Sequence, residues 1–459
     1  MSLTYHIVSL GCQMNRSDSE RIQSVLETAG YSFVEDETQA DILGLVACSV
    51  RQKAIDRVYS RIHKWNSWKR NRNLLTFASG CILPADRMKL LERFDLLFDI
   101  GEVGELPSMI REYGVSTPGS LRSFADEGAE EAAPTAHWNV RPSYSSSFEA
   151  FVPIQNGCDK FCTFCAVPYT RGREVSRNSE DIMAEVEALV VNGYQSITLL
   201  GQNVNSFGRD RPDNELSFPG LLRAIGELGR RYNDSFKLYF TSPHPHDMST
   251  EVVETIAEFR CLARQIHLPL QSGDDEVLDR MNRNYTYSDY LKIVEDIRRI
   301  LPDATIFTDI IVGFSGETEA QFDNTRKAMR EIGFDMAYVA MYSPRPGARS
   351  ADWPDDVPHE EKRRRLHALS DELNALGQKH TEARIGRILP VLVESPDRKN
   401  LYFSGRSEGL LPVRIRGAST DLIGKVVPVR ITAARPLSIE GEIVEGLPFG
   451  WAAAEQYDA

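Results

Sequence analysis

Cysteine is scarce in this chain, with seven in 459 residues. No apolar run approaches the ~18 residues that span a bilayer. Positive charge is not in excess either: 53 Lys and Arg stand against 66 Asp and Glu, a net −13. The opening "MSLTYHIVSLG" lacks the basic start and long apolar stretch of a secretory signal. Together these absences argue against a helical membrane protein, a disulfide-stapled secreted module and a uniformly basic nucleic-acid binder. They lead to the expectation of a cytoplasmic protein, with no membrane partner, whose thiols are reduced. At 42% hydrophobic and 26% charged residues the composition is that of a soluble globular protein, long enough for two to four domains.

The negative total hides two basic stretches. Residues 51–72 carry eight Lys and Arg against one acid, and residues 384–435 carry ten against four. Local patches, not the total, decide phosphate binding. Each stretch also reads as the solvated face of a helix or barrel.

Apolar runs alternating with helical patterns divide the chain. "YHIVSLG", "DILGLVA", "LLTFASG" and "DLLFDIG" read as buried strands, with helices over 17–29, 50–70 and 84–93, so the N-terminal block is a doubly wound parallel sheet. Residues 116–147, rich in Ser, Ala, Glu, Pro and Gly, read as a linker or disordered insertion. A second series of six strands, "FVPIQ", "SITLLG", "FKLYFT", "RQIHLP", "ATIFTDIIVG" and "DMAYVAMY", alternates with helices at 179–192, 218–231, 249–258, 287–300 and 318–332. That is a partial (βα)6 barrel rather than an eightfold one. After a charged helix over 359–383, four short β runs predict a small C-terminal all-β barrel of the kind that binds oligonucleotides. The fold class is thus α/β multidomain.

Three of the scarce cysteines crowd into one stretch, "NGCDKFCTFCAVPYTRGREVSR", with Cys158, Cys162 and Cys165 in C-x3-C-x2-C spacing. A structural zinc site wants four ligands, and a ferredoxin wants a fourth Cys followed by Pro; neither completes here. Three thiolates can hold a [4Fe–4S] cube with one iron left open to a ligand. The loop follows the first strand of the barrel series, at the end where such barrels keep their active sites. Three further cysteines, Cys12, Cys48 and Cys81, each end an apolar run. In a parallel sheet those tips lie on one edge, so the three converge as a second candidate trio, against the plainer reading of buried small hydrophobes. Cys261 has no such partners and reads as core.

The first loop resembles the radical S-adenosylmethionine (radical SAM) signature C-x3-C-x-aromatic-C, with Phe164 as the aromatic. Beside it stand "GCQMNRSDSER", "CSVRQKA", "YTRGREVSR", "LLGQNVN", "HLPLQSG", "DIIVGFSGET" and "YSPRPG". With two cysteine trios, these are similar to the methylthiotransferase family, in its tRNA branch. The resemblance implies an auxiliary-cluster domain (1–114), a linker (115–147), a radical SAM domain (148–382) and a TRAM domain (383–447). It implies two [4Fe–4S] clusters, on Cys12, Cys48 and Cys81 and on Cys158, Cys162 and Cys165, the latter trio catalytic. It also implies two uses of S-adenosylmethionine, one methylating a sulfur of the auxiliary cluster and one cleaved to a radical that activates an aromatic C–H. Cofactor contacts are expected from Phe164, Gly201, Gln202, Asn203, Ser242, Gln271, Asp309 and Gly313. Arg171 and Arg173 are expected to hold phosphate or the cofactor carboxylate, Arg345 to reach the active-site mouth, and Tyr402 and Phe403 to offer stacking faces, one of the two pointing into the core.

The implied reaction is methylthiolation of N(6)-isopentenyladenosine beside the anticodon of tRNA. Threonylcarbamoyladenosine or a ribosomal-protein aspartate remain as alternative targets, since Ala47, Ser315 and "PGARS" depart from the usual text. Implied partners are the tRNA anticodon stem-loop, a flavodoxin- or ferredoxin-type electron donor and iron–sulfur carrier proteins, acting on a monomer. A catalytically silent iron–sulfur electron carrier or RNA-binding regulator is the competing class.

Overall fold

The computed structural model describes residues 3–48, 52–113, 136–397 and 401–457. It divides into two units: Met1–Ser145, Gln155–Arg177 and Arg345–Ala351 form the first, and Ser146–Ile154, Asn178–Pro344 and Asp352–Ala459 the second.

In chain order the first unit runs β1 (Thr4–Ser9), α1 (Gln13–Thr28), β2 (Ser32–Phe33), β3 (Ile42–Cys48), α2 (Gln52–Trp68), β4 (Leu75–Cys81), α3 (Pro84–Leu91), β5 (Leu96–Leu97) and α4 (Leu106–Tyr113). The strands form one parallel sheet in the order β2-β1-β3-β4-β5. All seven residues of β3 are buried, as a central strand covered on both faces requires. Ile22, Leu26 and Phe98 pack on one face, and Ile62, Trp65 and Phe94 on the other. The doubly wound reading therefore holds. "DLLFDIG" yields only a two-residue strand, because the Asp99–Glu102 capping box starts a 3-10 turn at once. The stretch read as linker lies outside the described residues as far as 135. Its end is ordered: Ser143 N–H donates to Glu20 O, Ser145 Oγ donates to Glu20 Oε1, and His137 is buried.

The second unit begins with β6 (Glu149–Pro153). The chain then returns to the first unit for a hairpin of β7 (Gln155–Asn156) and β8 (Val175–Ser176), with α5 (Val167–Arg171) inside it. From there the second unit continues through α6 (Ser179–Val191), β9 (Ser196–Leu200), α7 (Phe218–Arg231), β10 (Lys237–Phe240), α8 (Thr250–Glu258), β11 (Gln265–His267), α9 (Asp275–Arg280), α10 (Tyr287–Ile300), β12 (Thr305–Val312), α11 (Glu319–Ile332), β13 (Met336–Met341) and α12 (His359–Glu382). Strands β6, β9 and β10 form one parallel group and β11, β12 and β13 another. A parallel bridge between Leu238 and Leu262 joins them into six consecutive strands. This is the partial (βα)6 barrel. Asn178, Ser217, Thr286 and Thr318 cap α6, α7, α10 and α11 by accepting N-terminal N–H bonds, which is why those helix starts are legible. The short α9, capped by Asp274, falls below the length that periodicity reveals.

Helix α12 leads into β14 (Ile388–Pro396), β15 (Phe403–Ser407), β16 (Pro412–Arg416), β17 (Val426–Arg435) and β18 (Ser438–Ile443). They close as β14-β15-β16-β18-β17 around Val391, Val393, Ile415, Val427, Val429 and Ile431; the small barrel is as expected, with β18 a fifth strand beyond the four runs read.

Candidate active site

Both cysteine trios lie in the first unit. Cys12 caps the start of α1, while Cys48 and Cys81 end the adjacent strands β3 and β4 as direct register partners. The chain needs glycine just before Cys81: Gly80 has φ +104°, and a Cβ there would stand 2.5 Å from Ala47 O. Asn15, fully buried, joins the three. Its Nδ2 donates to Ala47 O at 2.5 Å, and its Oδ1 faces the thiols of Cys12 at 3.5 Å and Cys81 at 3.8 Å. Burial pushes the Cys81 thiol up to about 12; Arg171 pulls it down, and Cys12, Asp18 and Cys48 push it further up. The three sulfurs thus share one electrostatic neighbourhood.

The second trio sits in a loop whose base is closed by β7 and β8. Gly157 turns it at φ +80°, where a Cβ would meet Arg173 O at 2.0 Å. Cys158 N–H donates to Gly172 O at 3.3 Å and Cys165 N–H to Cys162 O at 2.9 Å. Ser350 N–H reaches Thr163 O at 2.8 Å, fixing the tip. Phe161 takes a left-handed φ of 48°, unusual for a bulky side chain, and Phe164 is half-buried. Burial, above all, lifts the Cys158 thiol to about 12; the Lys160 N–H opposes it, while Cys165 and Cys162 add to the rise. A metal ligand must be a thiolate, so metal binding here would displace this proton.

Three free thiols in each trio are donors of the type that iron–sulfur clusters take. All seven cysteines are free thiols. Among the described residues, no three or more His, Cys, Asp or Glu side chains gather as one metal ion requires.

The remaining candidates lie at strand ends of the second unit. Gly201, Gln202 and Asn203 follow β9, and the Asn203 amide donates to Asp247 at 2.9 Å. Ser242, exposed, follows β10 and Gln271 follows β11; both are left-handed, at φ 60° and 71°. Such backbone strain persists where the surroundings enforce it and clusters at functional sites. Gln271 bridges to β12 through its N–H to Asp309 O at 2.8 Å, and its Oε1 is buried without a partner. Asp309 Oδ2 meets His267 Nε2 at 2.9 Å. At Gly313 the Cβ direction is filled by the Lys362 side chain, 2.3 Å away.

Arg171 and Arg173 depart from expectation. Arg171 is buried against Asp18 and Cys81, and Arg173 binds Asp159 through two bonds of 2.7 and 3.0 Å. Arg345 is partly buried, near Cys48, Asp56 and Asp86. Asp18, Asn15 and the buried role of Arg171 escape a reading by local pattern; "GCQMN" is the one sequence signal for Asn15. Of the stacking pair, Phe403 lies in the barrel core, while Tyr402 lies under Arg414, 3.6 Å from its ring, and accepts from Arg416 at 2.8 Å. Cys261 is buried against α7, its sulfur 2.3 Å from the Cβ position of Gly229. No described helix is long and apolar enough to cross a membrane.

A six-stranded partial barrel whose first strand is followed by a hairpin loop with three free thiols is the arrangement of a radical SAM enzyme. Three family models match: the Radical SAM superfamily over residues 152–329, the uncharacterised protein family UPF0004 over 4–99, and the TRAM domain over 382–444. The chain is 39% identical over 450 residues to the tRNA-2-methylthio-N(6)-dimethylallyladenosine synthase of Syntrophomonas wolfei, covering 96% of this chain and 98% of that one. To the enzyme of that name from Dictyoglomus thermophilum it is 38% identical, over 96% and 98% of the two chains. The chain therefore belongs to the radical SAM methylthiotransferase family. Among solved structures it is similar in fold to a radical S-adenosylmethionine methyltransferase, TsrM, from Kitasatospora setae, with TM-score 0.56 and 14% identity over 76% of this chain and 74% of that one. It is a sulfur-transferring radical SAM enzyme that uses S-adenosylmethionine and a [4Fe–4S] cluster.

Proposed function

We propose that this enzyme methylthiolates N(6)-isopentenyladenosine beside the anticodon of tRNA, using two molecules of S-adenosylmethionine and sulfur from a second, auxiliary cluster. The observation that carries this is the pairing of two thiol trios in one unit, one at the tips of β3 and β4 beside the start of α1, the other in a closed loop. In this reading Cys158, Cys162 and Cys165 hold the radical cluster and Cys12, Cys48 and Cys81 the auxiliary one. An aromatic C–H offers neither an acidic proton nor a leaving group, so acid–base and nucleophilic catalysis have no handle on it. When bound, the clusters and S-adenosylmethionine supply radical chemistry and sulfur; the protein binds, orients and excludes water.

Phe164, Gly201, Gln202, Asn203, Ser242, Gln271, Asp309 and Gly313 line the cofactor. Gln271 offers it a buried Oε1 that has no partner, which suits the amino group of a methionyl moiety. Work divides among residues 1–114, 148–382 and 383–447, with 115–147 linking them. Tyr402, Arg414 and Arg416 form an aromatic–cation surface for the RNA backbone. A flavodoxin- or ferredoxin-type donor supplies electrons, iron–sulfur carriers load the clusters, and the protein works as a monomer.

Mass spectrometry of tRNA nucleosides from a deletion strain tests the substrate. The expected result is loss of 2-methylthio-N(6)-isopentenyladenosine with accumulation of its unmodified precursor. Loss of a methylthiolated threonylcarbamoyladenosine instead would reassign the target.

A further inference from the structure

We propose that Arg171 is the positioning residue of the auxiliary trio: the loop bearing Cys158, Cys162 and Cys165 supplies a fixed, buried cation to the ligand sulfur of Cys81. The inference rests on the reading of Cys12, Cys48 and Cys81 as cluster ligands and deepens it. Arg171 Nε donates to Cys81 Sγ at 3.0 Å. One terminal nitrogen donates to Asp18 Oδ2 at 2.5 Å, and the other lies 3.5 Å from Asn156 Oδ1. The backbone is held too, since Asn156 Nδ2 donates to Arg171 O at 3.0 Å. Both ends of the residue are therefore fixed. The Arg171 and Asp18 side chains are only 3% and 1% exposed.

Such a pair needs a reason. Buried ion pairs seldom stabilise more than well-packed apolar residues of the same volume, and the second oxygen of Asp18 is buried without a partner among the described residues. Folding alone does not explain the choice. Three thiolates on a cluster concentrate negative charge, and two of the three cysteines, Cys48 and Cys81, are buried. A guanidinium keeps its charge at every accessible pH, and its Nε–H can hydrogen-bond a thiolate sulfur. Hydrogen bonds to ligand sulfurs and local charge are what a protein uses to set a cluster's potential. Asn15 cannot substitute, because it turns its acceptor oxygen to the sulfurs and spends its Nδ2 on Ala47. The guanidinium therefore makes the site easier to reduce and keeps Cys81 oriented. It also ties one cysteine-bearing segment to the other within a single unit.

The test uses the full chain with Cys158, Cys162 and Cys165 replaced by Ala, so that any remaining cluster signal belongs to the auxiliary trio. In that background we compare the parent with Arg171→Lys, and with a double variant, Asp18→Asn plus Arg171→Met, that removes both charges and leaves no orphan ion. Iron content, circular dichroism, the electron paramagnetic resonance spectrum and the midpoint potential are read on each. The double variant is expected to show a lower midpoint and an altered spectrum, or loss of the cluster with native circular dichroism. Arg171→Lys, which keeps charge but loses the planar fork, is expected to fall between. An unchanged midpoint and spectrum in every variant that folds overturns the role of Arg171. A background protein that takes up no cluster overturns the reading of the trio itself, and the Arg171 proposal with it.

Discussion

At the level of single residues, the candidate site is legible where chemistry is carried by residue type and hidden where it is carried by contact. Cysteine ending an apolar run places Cys48 and Cys81 at strand tips, because a buried parallel strand must end at the sheet edge. Nothing local links Arg171 to Asp18, which lies 153 residues away. The strain at Ser242 and Gln271 is equally silent, since a left-handed backbone is read from sequence only when glycine marks it. Gln271 gives the sharpest residue-scale prediction. Its buried, unpartnered oxygen is held in place by main-chain bonds to β12 that do not depend on the side chain. Gln271→Ala should therefore leave the fold intact while removing a hydrogen-bond acceptor from the cofactor. A buried hydrogen bond of this type is worth about 1.4 kcal/mol, or roughly tenfold in affinity. The expected outcome is a tenfold weaker S-adenosylmethionine affinity by equilibrium binding at an unchanged melting temperature. Equal affinity would remove Gln271 from the cofactor contacts.

Among the elements, α2 shows why a count of charges overstates an RNA-binding face. The stretch 51–72 has eight cations, but several are structural. Arg61 and Lys64 bind Glu37 at 2.7 and 2.8 Å. Burial works against the charge of that carboxyl, yet hydrogen bonds from Lys64 and Trp65 and the Arg61 guanidinium hold it down at about 2. Lys69 pairs with Asp95 in the interior, and Arg72 donates to Thr38 O. Lys53, Arg57 and Arg70 are exposed and make no bond among the described residues. Among the described residues these three are the cations left for phosphate. Replacing all three by Gln should lower the slope of log K against log salt for an anticodon stem-loop by roughly two, at about 0.7–0.9 per phosphate contact. Replacing Arg61 and Lys64 by Gln should lower the melting temperature and leave the slope alone. A slope unmoved by the first set would make α2 a solvated face and leave RNA docking to the C-terminal barrel.

For the molecule as a whole, the order of family segments along the chain and the units of the fold do not coincide. The cysteine loop falls inside the stretch matched by the Radical SAM model, yet it packs as part of the N-terminal unit. Alternation of strands and helices reveals the sheet and the barrel but cannot reveal this, because the allegiance of a loop is decided by long-range contacts such as Arg171 with Asp18 and Cys81. The consequence concerns autonomy. A fragment of residues 146–459 keeps all six barrel strands and the radical trio, but it strips Arg171 of both partners. Without Asp18 and Cys81 the guanidinium turns to water, and the loop loses the contacts that hold it in the full chain. The fragment is expected to keep the helical circular dichroism of the barrel while reconstituting less iron than its three cysteines allow and cleaving S-adenosylmethionine far more slowly than the full chain. A fragment that holds a full cluster and cleaves the cofactor at the full-length rate would show that the radical loop needs nothing from residues 1–145, and that the buried pair is an ornament of packing.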